Sequence, residues 1–138
     1  MNYLLDTNAC IALINGTPAL VRRRFERAVS GGANIFVSSV VAFELWYGIA
    51  KSSRPQLNTQ RLETFLAGPV SALPFDSEDA LVAGSIRATL ESSGKPIGAY
   101  DLLIAGQAVA RQLTLVTANV SEFSRVKQLN WQDWAKPL

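Results

Sequence analysis

The chain has 138 residues, a net charge of +2, 49% hydrophobic and 17% charged residues, one cysteine and no histidine. These figures describe one globular domain with enough length for a proper core. They exclude an internal disulfide, histidine-based zinc sites, and Ser-His-Asp or Cys-His catalysis, while the mild positive balance permits a polyanionic partner without requiring one.

Asn2–Asp6 is a short apolar run and reads as a buried strand. Thr7–Asn15 follows with helical spacing at Cys10, Leu13 and Ile14. Gly16, Thr17 and Pro18 break it, and Pro18 suits the first turn of a second helix, Pro18–Val29. That helix sets Leu20, Val21, Phe25 and Val29 on one side and Arg22, Arg23, Arg24 and Arg27 on the rest. After Gly31 and Gly32, the β-branched and aromatic run Asn34–Ser39 reads as a strand. Ser38 or Ser39 caps the next helix, Val40–Ser52, and Pro55 opens another over Gln56–Gly68. Val70–Phe75 is a third strand, and Asp76 caps a long helix over Ser77–Ser93. The loop at residues 94–98 leads into a helix at Ala99–Leu113, a strand at Thr114–Thr117 and a helical turn at Ser121–Val126. A small last strand lies within Gln128–Trp134.

Short strands alternating with helices imply an α/β fold whose parallel sheet is covered on both faces. Ligands of such sheets sit beyond the carboxyl ends of the strands. Asp6 ends the first strand, Glu44 lies about one turn into the helix after the second, and Asn119 and Glu122 follow the fourth. No repeat or linker divides the chain, so residues 1–138 form a single domain. No run of about 18 apolar residues is present, which excludes a spanning helix. The N-terminus carries no secretory signal, and the lone Cys10 fits a reducing cytoplasm.

Three carboxylates stand alone in apolar stretches. Asp6 is the only charge between Met1 and Val21, Glu44 the only one between Ala28 and Ala50, and Asp101 the only one between Lys95 and Arg111. A charge buried alone is costly, so such groups are paired, hydrogen-bonded or metal-bound, and no cation adjoins any of these in sequence. Plainer roles stand beside that one. Asp6 or Asp101 can be a helix cap, Glu44 can mark a solvent stripe with Tyr47 and Lys51, and Glu122 can be an ordinary surface acid. Ionised acids about 4 Å apart repel by about 4 kcal/mol per pair at an effective dielectric near 20. A convergent cluster would therefore protonate, spread apart or hold a divalent cation. Carboxylates suit hard cations such as Mg2+ or Mn2+.

Four segments, LLDTN (Leu4–Asn8), SSVVAFELWYG (Ser38–Gly48), PIGAYDLLIAGQA (Pro96–Ala108) and LVTANVSEFSRV (Leu115–Val126), resemble the PIN-domain ribonucleases, specifically the VapC toxins of bacterial toxin–antitoxin pairs. The resemblance implies a PIN-like α/β/α sandwich with a central, mostly parallel sheet of four to five strands. It implies a Mg2+- or Mn2+-dependent endoribonuclease in which Asp6, Asp101 and Glu44 bind metal and Glu122 completes the acidic pocket. Asn119 stands where many relatives have Asp, and Asn8, Thr117 and Asn119 are polar groups that orient the ligands. It also implies an RNA substrate, a VapB-type antitoxin that covers the pocket, and a homodimer. Arg22–Arg27, Arg54 and Arg87 can bind RNA backbone or form a solvated face, and Trp46, Tyr47 and Phe65 serve either partner contact or core packing. An aspartyl-phosphate phosphotransferase and a non-catalytic RNA-binding module with a vestigial pocket are the competing classes.

Overall fold

The computed structural model describes residues 1–137; Leu138, the last residue of the expected domain, lies outside them. Five strands form the sheet: β1 (Tyr3–Leu5), β2 (Ile35–Ser38), β3 (Ser71–Leu73), β4 (Thr114–Val116) and β5 (Trp131–Gln132). Their order is β3-β2-β1-β4-β5, and every pairing is parallel, so the mostly parallel sheet expected from the sequence is wholly parallel. The helices are α1 (Thr7–Asn15), α2 (Ala19–Ser30), α3 (Ser39–Ala50), α4 (Pro55–Leu66), α5 (Ser77–Ser92), α6 (Ala99–Ala110) and α7 (Val120–Phe123).

Central β1 and β4 are apolar at two of their three paired positions: Leu4, Leu5, Leu115 and Val116 are at most 1% exposed. Such strands need cover on both faces, and the helices supply it. Chain order reverses at the sheet's centre: β1 continues outward to β2 on one side and is flanked by β4 on the other. The crevice beyond the carboxyl ends of β1 and β4 is thus the switch point at which parallel sheets bind ligands.

Three of the helices that follow strands begin at capping side chains. Asp6, Ser38 and Asp76 have extended backbones and turn their side chains to the first amides of α1, α3 and α5. Each caps the start of a helix, and Ser38 does so while still ending β2. The end of α6 differs more. Expected at Leu113, it falls at Ala110, because Gln112 adopts a left-handed conformation (φ 56°) and the Leu113 amide donates back to the Ala108 carbonyl. Glycine usually signals that ending, and here none marks it.

The α3 helix corrects an expectation. Its all-round apolar sequence implies burial on every side, yet only Val41 and Leu45 are buried, while Phe43, Trp46 and Tyr47 are 56%, 41% and 59% exposed. Phe43 meets Tyr100 of α6 with ring centroids 5.8 Å apart, so an aromatic surface joins the two helices. Phe65 is half-buried against the core.

Candidate active site

Asp6 follows β1 and is 4% exposed. One of its oxygens accepts the Ala9 amide at 2.8 Å, which realises the capping role. Capping leaves the other oxygen uncommitted to the helix. Burial raises the Asp6 pKa, as do Glu44 and Asp133, while hydrogen bonds with Thr117 and the Ala9 amide oppose the rise. Thr117, just past β4, is 1% exposed, and its hydroxyl also accepts the Asn119 amide at 2.9 Å.

Glu44 is half-buried on α3 and accepts the Thr7 hydroxyl at 2.7 Å. The solvent stripe proposed for it divides: Tyr47 is exposed with the Lys51 ammonium 4.8 Å from its ring centre, whereas Glu44 turns to α1. Beside Glu44 lies a cavity of about 280 Å³ lined by Ile11, Leu45, Gly48, Ile49, Arg61 and Leu62.

Asp101 occupies the first turn of α6, whose N-cap is Gly98, so the capping role considered for Asp101 is not the one it has. Burial pushes its pKa up to about 7, joined by a hydrogen bond to Glu122 and by the charges of Glu122, Glu44 and Asp6. Glu122, in α7, is held below its ordinary range, first by Asp101 and then by Asn119, Arg125 and the Gly98 amide. The hydrogen bond between the two acids thus pushes Asp101 up and Glu122 down. The Asn119 amide group donates to Glu122 at 3.1 Å. Asn119 thus hydrogen-bonds Glu122, which in turn hydrogen-bonds Asp101.

Four acids from four segments thus act on one another across the switch point. Among the described residues no three acids are grouped tightly enough, as placed, to hold an ion. Mutual repulsion spreads such groups when no cation neutralises them. The donor set nevertheless fits Mg2+ or Mn2+: all four are hard oxygen donors, and burial together with the charges of Glu122, Glu44 and Asp6 raises the Asp101 pKa.

Asn8 is exposed and lines a second cavity beside Thr117 and Asp133; among the described residues it makes no hydrogen bond to the four acids. Two of the arginines have structural partners, Arg22 donating to the Leu13 carbonyl at 2.7 Å and Arg24 to the Asp133 carbonyl at 2.9 Å. Arg87 pairs with Glu91 on an exposed face at 2.9 Å, while Arg23, Arg27 and Arg54 are exposed. Sequence reasoning offers Thr7 only as an alternative cap for α1, a role that Asp6 takes, and does not single out Asp133. The LLDTN segment placed Thr7 beside Asp6, but nothing local connects it to a residue 37 positions away.

Residues 3–129 match the PIN domain family. A tRNA(fMet)-specific endonuclease VapC from Shigella flexneri is 40% identical over 135 residues, spanning 98% of this chain and 99% of that protein. A chain in the DNA-bound VapBC structure from Salmonella typhimurium superposes with a TM-score of 0.89 at 38% identity, covering 97% of this chain and 98% of that one. VapBC2 from Rickettsia felis, solved bound to a DNA fragment from their promoter, gives a TM-score of 0.89 at 36% identity over 96% of this chain and 98% of that one. With the family match spanning nearly the whole sequence and the relatives alike along their full lengths, this chain belongs to the PIN-domain family, among its VapC ribonucleases.

Proposed function

We propose that the chain is the toxin of a type II toxin–antitoxin pair, an endoribonuclease that hydrolyses RNA phosphodiester bonds with Mg2+ or Mn2+ at Asp6, Glu44, Asp101 and Glu122. One observation supports the metal site above the rest. Asp101 is raised to about 7 with three other acids among the causes, each from a different segment of the fold. Perturbed acids gathered in a crevice mark functional sites more often than structural ones.

A bound divalent ion supplies a Lewis acid that lowers the pKa of water and offsets charge on the phosphate. Asp6 and Asp101 are its primary holders. Glu44 and Glu122 complete the ring, by direct ligation, through water, or by accepting the proton of the attacking water. Thr117 steadies Asp6, and Asn119 steadies Glu122.

A VapB-type antitoxin covers this acidic patch with a basic side chain, and the toxin pairs into a homodimer through exposed aromatic surface such as Phe43, Trp46 and Tyr100. RNA cleavage places the action in the cytoplasm. Since a similar endonuclease is named for tRNA(fMet), that RNA is the first substrate to assay.

The variants Asp6→Asn and Asp101→Asn are expected to lower RNA cleavage by at least about 100-fold and to relieve growth inhibition while the melting curve stays cooperative. Full cleavage by either variant, or by the unaltered protein in excess chelator, would reject the mechanism. Magnesium-independent binding that leaves the RNA intact would instead identify a binding module.

A further inference from the structure

The geometry points to Thr7 as a positioning residue that fixes Glu44 for the acidic centre, an inference that rests on the metal-ribonuclease reading above. Thr7 is the first residue of α1, beside the N-cap position from which a side chain serves the helix amides. Asp6 already does that work by accepting the Ala9 amide, so the Thr7 hydroxyl is released for another partner. It spans to α3 and donates to Glu44 Oε1 at 2.7 Å, the length of a charge-assisted bond to a carboxylate.

Glu44 has a particular need for such a partner. Its side chain has three rotatable bonds, and holding it in one arrangement costs up to about 2 kcal/mol of rotamer entropy. Among the described residues, no cation pairs with it, and Thr7 is the one side chain that hydrogen-bonds it. Its helix neighbours Phe43, Trp46 and Tyr47 face outward and do not confine it. With Oε1 committed to the hydroxyl, Oε2 is the oxygen left for the acidic centre. The same short segment therefore supplies one acid, Asp6, and aims another, Glu44, at the position next to it.

Two substitutions separate this role from a merely structural one. Thr7→Val keeps the branched shape and removes the donor; Thr7→Ser keeps the donor and removes a methyl group. Mn2+ affinity, read by titration of the full chain without RNA, is expected to weaken about 10- to 100-fold in Thr7→Val, as for other groups that orient metal ligands. Its kcat on RNA falls by a similar factor while KM for RNA holds. Thr7→Ser recovers both to within about threefold. Unchanged Mn2+ affinity and kcat in a folded Thr7→Val, or a Thr7→Ser as impaired as Thr7→Val, overturns the assignment of Thr7 alone. An unaltered protein that neither binds Mn2+ nor cuts RNA overturns the metal-ribonuclease reading, and this inference with it.

Discussion

Asp6 and Asp79 show two ways in which this chain tolerates a buried acid. Asp6 has hydroxyl and amide donors but, among the described residues, no paired cation, and its pKa is raised. Asp79 is 0% exposed, yet its pKa is lowered. Burial pushes Asp79 upward, but Arg111, the Asp76 amide and Gln107 together outweigh it. Arg111 Nε lies 3.0 Å from Asp79, and Gln107 donates at 3.2 Å. Asp6, Glu44 and Asp101 were legible because each is the only charge in its stretch. Asp79 was not, since it sits in the polar run Ser77–Asp79 and its cation arrives from 32 residues away. The Asn119–Glu122 arrangement was likewise illegible, because both residues are present in the sequence and only their geometry shows that one bonds the other. Asp79→Ala removes one acceptor from Arg111, which keeps Asp76, and one from Gln107, which keeps the Pro74 carbonyl, and it opens half of the α5 capping box. Urea unfolding is expected to show a loss of about 3 kcal/mol. RNA cleavage per folded molecule should be unchanged, because Asp79 is not among the groups that perturb Asp101. A loss below about 0.5 kcal/mol would mean that the network contributes little.

At the scale of elements, helix periods and stop signals located the helices, but not how closely they approach one another. Gly106 of α6 faces Ala83 of α5 so tightly that an added Cβ would lie 2.5 Å from the Ala83 Cβ and 2.6 Å from its Cα. Gly48 of α3 has nothing within 4 Å of such an atom. Both are mid-helix glycines in the sequence, and only the structure separates them. Gly106→Ala must push α5 and α6 apart, and since backbone atoms obstruct it, a cost of about 3 kcal/mol is expected. Gly48→Ala meets open space and gains helix propensity of about 1 kcal/mol. Chemical denaturation of the two variants should move the midpoint in opposite directions; a shared direction would contradict the packing described. The exposed face of α3 was illegible for a related reason. Hydrophobic composition reports that a surface avoids water, and does not distinguish a core from a surface awaiting a partner.

For the whole molecule, the alternation of strands and helices revealed a parallel sheet, and the order β3-β2-β1-β4-β5 explains why its acids meet. The carboxyl ends of β1 and β4 lie side by side, so residues 6 and 117 become neighbours although distant in the chain. That convergence opposes stability, and the sign can be followed with pH. Asp101 binds its proton more tightly folded, at about 7, than at its model-peptide value of 3.8, and Asp6 shifts the same way. Between those values the folded state holds more protons than the unfolded, so stability falls as pH rises from about 4 to about 7. Asp79 acts in the other sense: its depressed pKa contributes stability that is present above about pH 4 and lost on acidification. The metal-free protein is therefore expected to melt higher at pH 5 than at pH 8. Asp101→Asn should flatten the decline between those pH values, because it removes the group most affected. A divalent ion that binds only the folded state adds about 2.7 kcal/mol at 100 times its dissociation constant. That gain should be larger at pH 8, where the acids need no deprotonation to accept the ion, than at pH 5. Calorimetry in chelator and again in Mn2+ checks both halves. A melting temperature that stays level or climbs from pH 5 to pH 8 in chelator would show that the acids do not repel one another in the folded chain, and the electrostatic basis for an ion at this crevice would be gone.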